Sequence, residues 1–406
     1  MSGSRVGYGD LLRTRGVARI ITAQLAARLP SGMLSLGLLF HVEGRTGSYG
    51  TAGIVLAALS IGQALAGPAM GRLMGRLGMR PVLLVSTFVC AAAVTVIAAA
   101  PLPPAPIVVL ALVSGLSFPP VTSAVRTLYP KMVPSSMLTP LYSLDASLQE
   151  LIWIGGPVVV TLVATSISTV TALLLSVVLM IGGGLWFALS PGVARVRIPR
   201  SKRRFGRVLL RPQVALVTVV GFLVIASCAA IETSVAGAFG ESDPTSGVVL
   251  AIWAVASLAG GLLLGRLPMR PWSLALRLAA VTVGVALTPF VSGFWGLSAA
   301  LVVAGFGLAP ALGVMSAIVS SSVRFSDTAE AYGWTNTGQL VGVALGAALA
   351  GQALDGFGTA AAFGCAALLA AASTIVAAAG IPAQPDLKGR DSGPVADTAP
   401  IPVTPS

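Results

Sequence analysis

Twelve long apolar stretches restrict what this chain can fold into. Each holds about 20 mostly apolar residues, the length that a helix needs to cross a bilayer. Backbone groups in hydrocarbon find no water, so such segments form helices or a closed barrel, and barrel strands alternate in polarity. These stretches are continuous, which predicts an all-α membrane protein with twelve transmembrane helices. The predicted spans are residues 17–41, 50–69, 80–100, 106–128, 138–164, 169–190, 213–237, 246–264, 273–292, 295–319, 330–353 and 357–380.

The scarcity of charged residues agrees with this prediction. Of the 406 residues, 55% are hydrophobic and only 9% are charged, whereas a soluble domain is about one quarter charged. The net charge of +12 would suggest a nucleic-acid partner in a soluble protein. Here the basic residues fall in short loops between apolar stretches. We therefore expect a lipid bilayer around the chain and no nucleic-acid partner.

The positions of the basic residues predict the orientation in the membrane. If the N-terminus is cytoplasmic, 23 of the 25 Lys and Arg residues lie on the cytoplasmic side, which leaves Arg45 outside and Arg28 within the first span. Short loops rich in Lys and Arg remain in the cytoplasm. We therefore predict a multi-pass protein of the cytoplasmic (inner) membrane with both termini in the cytoplasm. The first apolar stretch is too long for a cleavable signal peptide.

The sequence repeats itself at a constant offset between its two halves. The segment GRLGMRP at 75–81 recurs as GRLPMRP at 265–271, and the same offset relates Tyr142 to Tyr332 and Gln149 to Gln339. Parallel repeats of this kind are typical of transporters built from two six-helix halves. We predict two pseudo-symmetric six-helix bundles. The predicted organisation is a cytoplasmic segment at 1–16, the N-terminal bundle at 17–190, a basic linker at 191–212, the C-terminal bundle at 213–380 and a disordered tail at 381–406.

The loop after the second span carries a recognisable motif. With Gly71, Arg76, Gly78 and Arg80 in their expected places, the chain resembles transporters of the major facilitator superfamily over roughly residues 15–380. Gly75 stands where that motif has an acidic residue. Gly155-Gly156-Pro157 resembles part of an exporter motif in the fifth span, so the resemblance extends to bacterial exporters of drugs or metabolites.

The resemblance implies a mechanism as well as a fold. Two bundles alternate access to a central cavity lined by spans 1, 4, 7 and 10, and the loop motif takes part in the conformational change. The second-half copy of the motif contributes Arg266 and Arg270. No cofactor or metal is implied. The expected partners are a small-molecule substrate and protons, and the expected state is a monomer.

Ionisable residues at membrane depth are costly and are usually kept for a partner or a function. Arg28 in span 1 and Glu150 in span 5 lie at similar depth, and we predict that they pair; the alternative is an ion pair that only fixes helix packing. Asp145 and Glu150 are both candidates for proton coupling, because a carboxylate in such surroundings can bind and release a proton. Asp145 can instead be a structural partner of Arg126. Glu232 is expected at a solvated rim, with a gate as the alternative.

Polar and aromatic residues of spans 1, 5 and 11 are the candidates for the substrate cavity. Trp and Tyr also serve as packing or interface anchors in membrane proteins, so this set is wider than the expected site. The candidates are Arg28, Gln149, Trp153, Trp334, Asn336 and Gln339.

Missing motifs exclude other classes of function. The chain has no phosphate-binding loop, a single His, three scattered Cys and no arrangement typical of a hydrolase. We therefore expect neither an enzyme nor an ATP-driven pump. The favoured function is proton-coupled efflux of small amphipathic molecules. The alternatives are a narrow transporter of a small metabolite, such as an amino acid or organic acid, and a ligand sensor that transports nothing.

Overall fold

The computed structural model of the chain describes residues 8–201, 203–239, 244–267, 269–387 and 393–395. Within these ranges it is an all-α protein in which twelve helical segments are long and apolar enough to cross a membrane. The helices are α1 (Tyr8–Arg13), α2 (Val17–Thr46), α3 (Tyr49–Leu77), α4 (Met79–Ala99), α5 (Pro104–Leu116), α6 (Val121–Leu128), α7 (Leu138–Ser166), α8 (Thr169–Ala188), α9 (Pro191–Arg195), α10 (Pro212–Phe239), α11 (Pro244–Leu264), α12 (Ser273–Leu287), α13 (Gly293–Ser322), α14 (Thr328–Phe357) and α15 (Thr359–Ala379).

The fourth span is the one that differs most from its prediction. The sequence predicts one helix over 106–128, but the chain forms α5 and α6 with a break at Pro119 and Pro120. A proline ring lacks the N–H of the helical ladder and clashes with the preceding turn, and two in succession interrupt the helix. The second-half counterpart of Pro120 is Pro310, which lies alone inside the continuous helix α13.

The two halves repeat the same local structure, as the constant offset predicts. The Tyr142 hydroxyl donates to the carbonyl of Arg126 at 3.2 Å, and the Tyr332 hydroxyl donates to the carbonyl of Ser316 at 2.8 Å. The offset of the internal repeat relates both members of one pair to those of the other. The two tyrosine rings also face each other across the boundary between the bundles, 6.5 Å apart between centroids. The prediction of two six-helix bundles, α2–α8 and α10–α15, is therefore confirmed.

The bundles meet closely at one end, which we call the linker end because the linker between α8 and α10 lies there; the other is the far end. Glycines permit this approach. A side chain at Gly71 on α3 would collide with the backbone of Ala329 and Glu330, and one at Gly333 would collide with Gly67. On the opposite seam, the Ser143 hydroxyl donates to the carbonyl of Gly261 at 3.2 Å.

Among the residues that the structure describes, the far end has no such bridges. The last hydrogen bonds between the bundles, counted from the linker end, are Thr337 to the carbonyl of Ala64 at 2.6 Å and Ser257 to Glu150 at 2.9 Å. Among the described residues, none joins the bundles beyond that level. The side chain of Trp153, one turn further along α7, is 54% exposed. The structure is therefore closed at the linker end and open toward the far end.

Part of the C-terminal tail is ordered against the C-terminal bundle. Ile381–Ala383 forms a 3₁₀ turn. The backbone N–H of Val395 donates to the carbonyl of Val323 at 3.1 Å, and that of Phe325 donates to the carbonyl of Val395 at 3.2 Å. The predicted disorder is therefore wrong for 381–387 and 393–395, because backbone hydrogen bonds hold these residues. The rest of the tail lies outside the described residues.

Candidate functional site

A buried cluster of charged residues lies in the N-terminal bundle. The carboxylate of Asp145 on α7 is 0% exposed and accepts three hydrogen bonds: from Arg28 Nη1 at 3.0 Å, from Arg126 Nε at 3.1 Å and from the Tyr129 hydroxyl at 3.0 Å. Arg28 also donates to the side-chain oxygens of Gln24, at 2.8 Å, and of Gln149. We call Arg28, Arg126, Asp145, Tyr129 and Gln149 the arginine node.

The predicted ion pair between Arg28 and Glu150 is wrong, and helical geometry explains the error. Asp145 and Gln149 lie four residues apart on one face of α7, whereas Glu150 points about 140° away from Asp145 at about 100° per residue. The face with Asp145 turns toward α2 and α6, so it meets both arginines. The alternative partner of Asp145, Arg126, is present as well.

The charges of the arginine node do not cancel. Two guanidinium groups surround one carboxylate, so this buried cluster carries one net positive charge. A buried carboxylate with two cationic donors and a hydroxyl donor is well stabilised in its charged form, since each hydrogen bond is assisted by charge. Asp145 is therefore the carboxylate that both arginines share.

Glu150 has different surroundings. Its carboxylate accepts a hydrogen bond from Ser257 on α11, in the other bundle, at 2.9 Å. Among the described residues it has no basic partner. Glu232 on α10 is exposed, and Cys228 lies one turn before it on the same helix. An exposed side chain is what the expected rim position of Glu232 requires.

A small cavity of about 30 Å³ lies between the bundles beside the arginine node. Gln149 and Gln339, which are related by the internal repeat, line it from α7 and α14. One part of the lining is polar and the rest is apolar. The remaining lining residues are Arg126, Ile225, Leu312, Met315, Ser316, Val319, Tyr332 and Thr335.

The other predicted cavity residues have separate positions. Trp153 is exposed on the far side of Glu150. Trp334 does not line the cavity: its ring packs against Phe205 of the linker, 5.8 Å between centroids, because it projects toward the linker end. Asn336 is half-buried on α14 and is not part of the cavity lining.

The loop motif lies at the linker end, and its residues differ in their contacts. Gly71 makes the close interbundle approach, and Gly78 ends α3 with φ 96°, a conformation that favours glycine. Arg76 and Arg80 are exposed. In the second copy of the motif, each arginine stacks on an aromatic ring: Arg266 lies 4.2 Å from the ring centre of Tyr8, and Arg270 lies 5.6 Å from that of Trp272.

An ionic contact that the sequence did not indicate joins the bundles near this loop. Arg72 Nη1 lies 2.7 Å from Glu330 Oε2, and Arg72 also donates to the carbonyl of Arg203 in the linker. Glu330 accepts a further bond from the backbone N–H of Gly206 at 2.8 Å. We call Arg72 and Glu330 the latch. Gly75, where the family motif has its acidic residue, instead faces the carbonyl of Pro199.

A match to a protein-family model shows which family the chain belongs to. The model described as Major Facilitator Superfamily matches residues 20–267 and 214–403. The chain belongs to the major facilitator superfamily. Both matches together cover nearly the whole chain, and the two overlapping matches agree with its two repeated halves. No curated protein sequence matches this chain.

Solved structures of superfamily transporters have the same fold. The human organic anion transporter MFSD10 superposes with a TM-score of 0.68 at 16% identity, covering 89% of this chain and 99% of its own. The transporter FucP in the outward conformation gives 0.69 at 15% identity, with 89% and 97% covered. The proton:xylose symporter XylE gives 0.72 at 12% identity, with 92% and 97% covered. At these sequence identities the similarity shows a shared fold and nothing further.

Proposed function

We propose that this superfamily member is a proton-coupled secondary transporter of small amphipathic molecules, working by rocker-switch alternating access, with Glu150 as the proton carrier. The family and fold are those of secondary transporters. The finer assignment depends on the surroundings of Glu150 and on the cavity beside the arginine node.

The contact between Glu150 and Ser257 carries this proposal. It joins the two bundles at the level where the closed linker end gives way to the open far end. A carboxylate without a basic partner is neutralised at low cost, and protonation changes what it can accept or donate. Rotation of the bundles separates Glu150 from Ser257. Binding of a proton is thereby linked to the conformation, as coupling requires.

Asp145 is a weaker candidate for the proton site. Its three partners all belong to the N-terminal bundle, so a rigid-body rotation of the bundles leaves them in place. A group whose surroundings are the same in both states cannot link protonation to the conformational change. We propose that Asp145 holds the two arginines in position instead.

The orientation follows from the charge bias of the loops. We propose that the linker end is cytoplasmic and that the protein lies in the inner membrane. The open far end then faces outward. The partial exporter motif at Gly155-Gly156-Pro157 favours efflux, in which a proton enters as substrate leaves. The second candidate is cotransport of a small organic acid, which the net positive charge of the arginine node favours.

The test is proton-driven flux in vesicles of known orientation. Inverted vesicles with an imposed proton gradient are supplied with fluorescent lipophilic cations and, in parallel, with radiolabelled organic acids. We expect gradient-dependent flux in the wild type, its loss in Glu150→Gln, and its retention in Asp355→Asn, which removes an exposed carboxylate at the far end of α14. Undiminished gradient-driven flux in Glu150→Gln would contradict the assignment of the proton carrier.

A further inference from the structure

Among the described residues, no further carboxylate contacts the arginine node to balance its charge. Glu150 points to the other bundle and binds Ser257, while Glu330 is occupied by Arg72 at the linker end. Within the described residues, Asp145 is the single carboxylate that contacts Arg28 or Arg126. One positive charge is therefore left at the wall of the small cavity, where a low local dielectric increases its attraction for an anion.

Arg126 is oriented so that it can bind such an anion. Its Nε donates to Asp145 and its Nη2 makes a long contact of 3.5 Å with Gln149. Its Nη1 makes no hydrogen bond in the described part of the chain. The side chain is 10% exposed and lines the cavity. A guanidinium group with an unused donor, on a residue that lines a cavity, is suited to a carboxylate.

The C-terminal bundle shows that the fold itself does not need these charges. In the internal repeat, the position equivalent to Arg28 is Thr218, that equivalent to Arg126 is Ser316, and that equivalent to Asp145 is Thr335. This half forms the same helices and the same tyrosine-to-carbonyl bond with neutral residues. Buried ion pairs also add little net stability compared with apolar packing. The charges of the N-terminal half therefore call for a reason other than folding.

The cavity has the size and the lining for one end of an amphipathic anion. At about 30 Å³ the cavity exceeds the about 10–15 Å³ that one water molecule needs, which leaves room for a small polar head. The amides of Gln149 and Gln339 can donate to such a head, while Met315, Leu312 and Ile225 supply apolar walls.

We propose that this cavity is the binding site for the carboxylate of a small monoanionic amphipathic substrate, with Arg126 as its principal donor and Gln149 and Gln339 as further contacts. This inference deepens the proposed function, on which it rests for taking the cavity as part of the transport path. It gives the substrate class of the organic-acid candidate.

The test compares matched ligands that differ in charge. Binding of straight-chain carboxylates from acetate to decanoate is measured by calorimetry on the detergent-solubilised full chain, each against its primary amide, with empty micelles subtracted. A unit charge about 4 Å away at an effective dielectric constant near 20 is worth a large factor in affinity. We expect at least one carboxylate to bind tenfold or more tightly than its amide.

Two substitutions that break the same ion pair have opposite predicted effects. Asp145→Asn raises the charge of the node and strengthens carboxylate binding severalfold, whereas Arg126→Gln neutralises it and weakens binding at least tenfold. Gln339→Glu leaves the node intact, is nearly isosteric, and puts a negative charge at the cavity wall, so it also weakens binding at least tenfold. Thermal melting identifies any variant that is not folded.

The possible results separate this inference from the proposed function. Equal affinity for every carboxylate and its amide overturns the carboxylate site. So does a loss of binding in both Asp145→Asn and Arg126→Gln while Gln339→Glu binds as the wild type does. Selective carboxylate binding with the predicted order of variants supports the site even where proton-driven flux is absent, and in that case the coupling through Glu150 fails instead.

Discussion

The two bundles share a fold but differ in what they bury. At positions related by the internal repeat, the N-terminal bundle has Arg28, Arg126 and Asp145, and the C-terminal bundle has Thr218, Ser316 and Thr335. Helix packing and the bond from each tyrosine to a carbonyl are the same in both. The difference teaches that the repeat supplies a scaffold, and that at these three positions the N-terminal half alone carries charge. The proposed sites of binding and coupling, the arginine node and Glu150, both belong to that half.

The largest expected effect tests whether coupling belongs to that half. Glu150→Gln keeps the size of the side chain but removes the exchangeable proton, so we expect proton-driven flux to fall about a hundredfold, at the lower end of what general acid–base groups contribute. The measurement is initial flux into proteoliposomes at fixed gradient. A similar loss in the exposed control Asp355→Asn would show that the assay reports surface charge and not Glu150.

A stability comparison at symmetric positions tests the difference directly. Arg28→Ala leaves Asp145 with one cationic partner and should destabilise the protein by about 3–5 kcal/mol, the usual cost of breaking a buried pair. Thr218→Ala removes a hydroxyl that is buried without a hydrogen-bond partner in the described residues, so its effect should be near zero or slightly stabilising. Denaturant unfolding in detergent measures both. Equal costs would show that the two halves depend on these positions alike.

The latch should affect conformation more than folding. Arg72→Ala removes an interbundle ion pair and a bond to the linker, so we expect the closed linker end to lose about 1–3 kcal/mol relative to the open one. Spin labels at Gly44→Cys and Gly356→Cys, where added side chains meet open space, report the width of the far end. They are introduced with the native cysteines replaced by serine.

Arg76→Ala is the matched control for the latch, because Arg76 is an exposed arginine one turn away on the same helix. We expect its distance distribution to be that of the wild type. A shift in Arg76→Ala as large as that in Arg72→Ala would assign the effect to loop charge and not to the contact with Glu330.

The smallest expected effect lies where the halves agree. Tyr142→Phe and Tyr332→Phe each remove one buried hydrogen bond to a backbone carbonyl, at 3.2 and 2.8 Å. Each should cost about 1 kcal/mol, the usual net value of such a bond. The free energy of unfolding of each variant checks this. The usual spread for such bonds is about threefold. If the loss of unfolding free energy in one variant exceeds that in the other by more than this, the pseudo-symmetry does not extend to energetics.

The sequence predicts the fold well because the fold depends on long, redundant patterns. Twelve apolar stretches and a repeat at constant offset define the helices and the two bundles, and a local change does not alter them. The break in the fourth span was missed although Pro119 and Pro120 are visible in the sequence. A membrane helix can continue through a single proline, as α13 does at Pro310, so a continuous fourth helix was an equally acceptable prediction.

The site was predicted less well because it depends on which face of each helix meets which neighbour. Similar depth suggested Arg28 and Glu150 as partners, whereas the actual choice depends on the orientation of α7 about its axis. Ser257 carried no signal, since a serine in a membrane helix is common. Trp334 belonged to the expected cavity by its type, but its position near the start of α14 brings it to the linker.

Under the proposed coupling, Asp145 is held by two arginines and carries no proton, which limits how steep a concentration gradient the protein can sustain. Glu150 and Glu232 are then the remaining carboxylates of the described spans away from the helix ends. One proton crossing 100 mV releases about 2.3 kcal/mol, which supports about a fifty-fold accumulation of a neutral solute, and two protons support about a two-thousand-fold accumulation. In the proposed mechanism, the number of carboxylates that are not ion-paired with an arginine limits the number of protons carried per cycle. That number sets the largest solute gradient the protein can maintain.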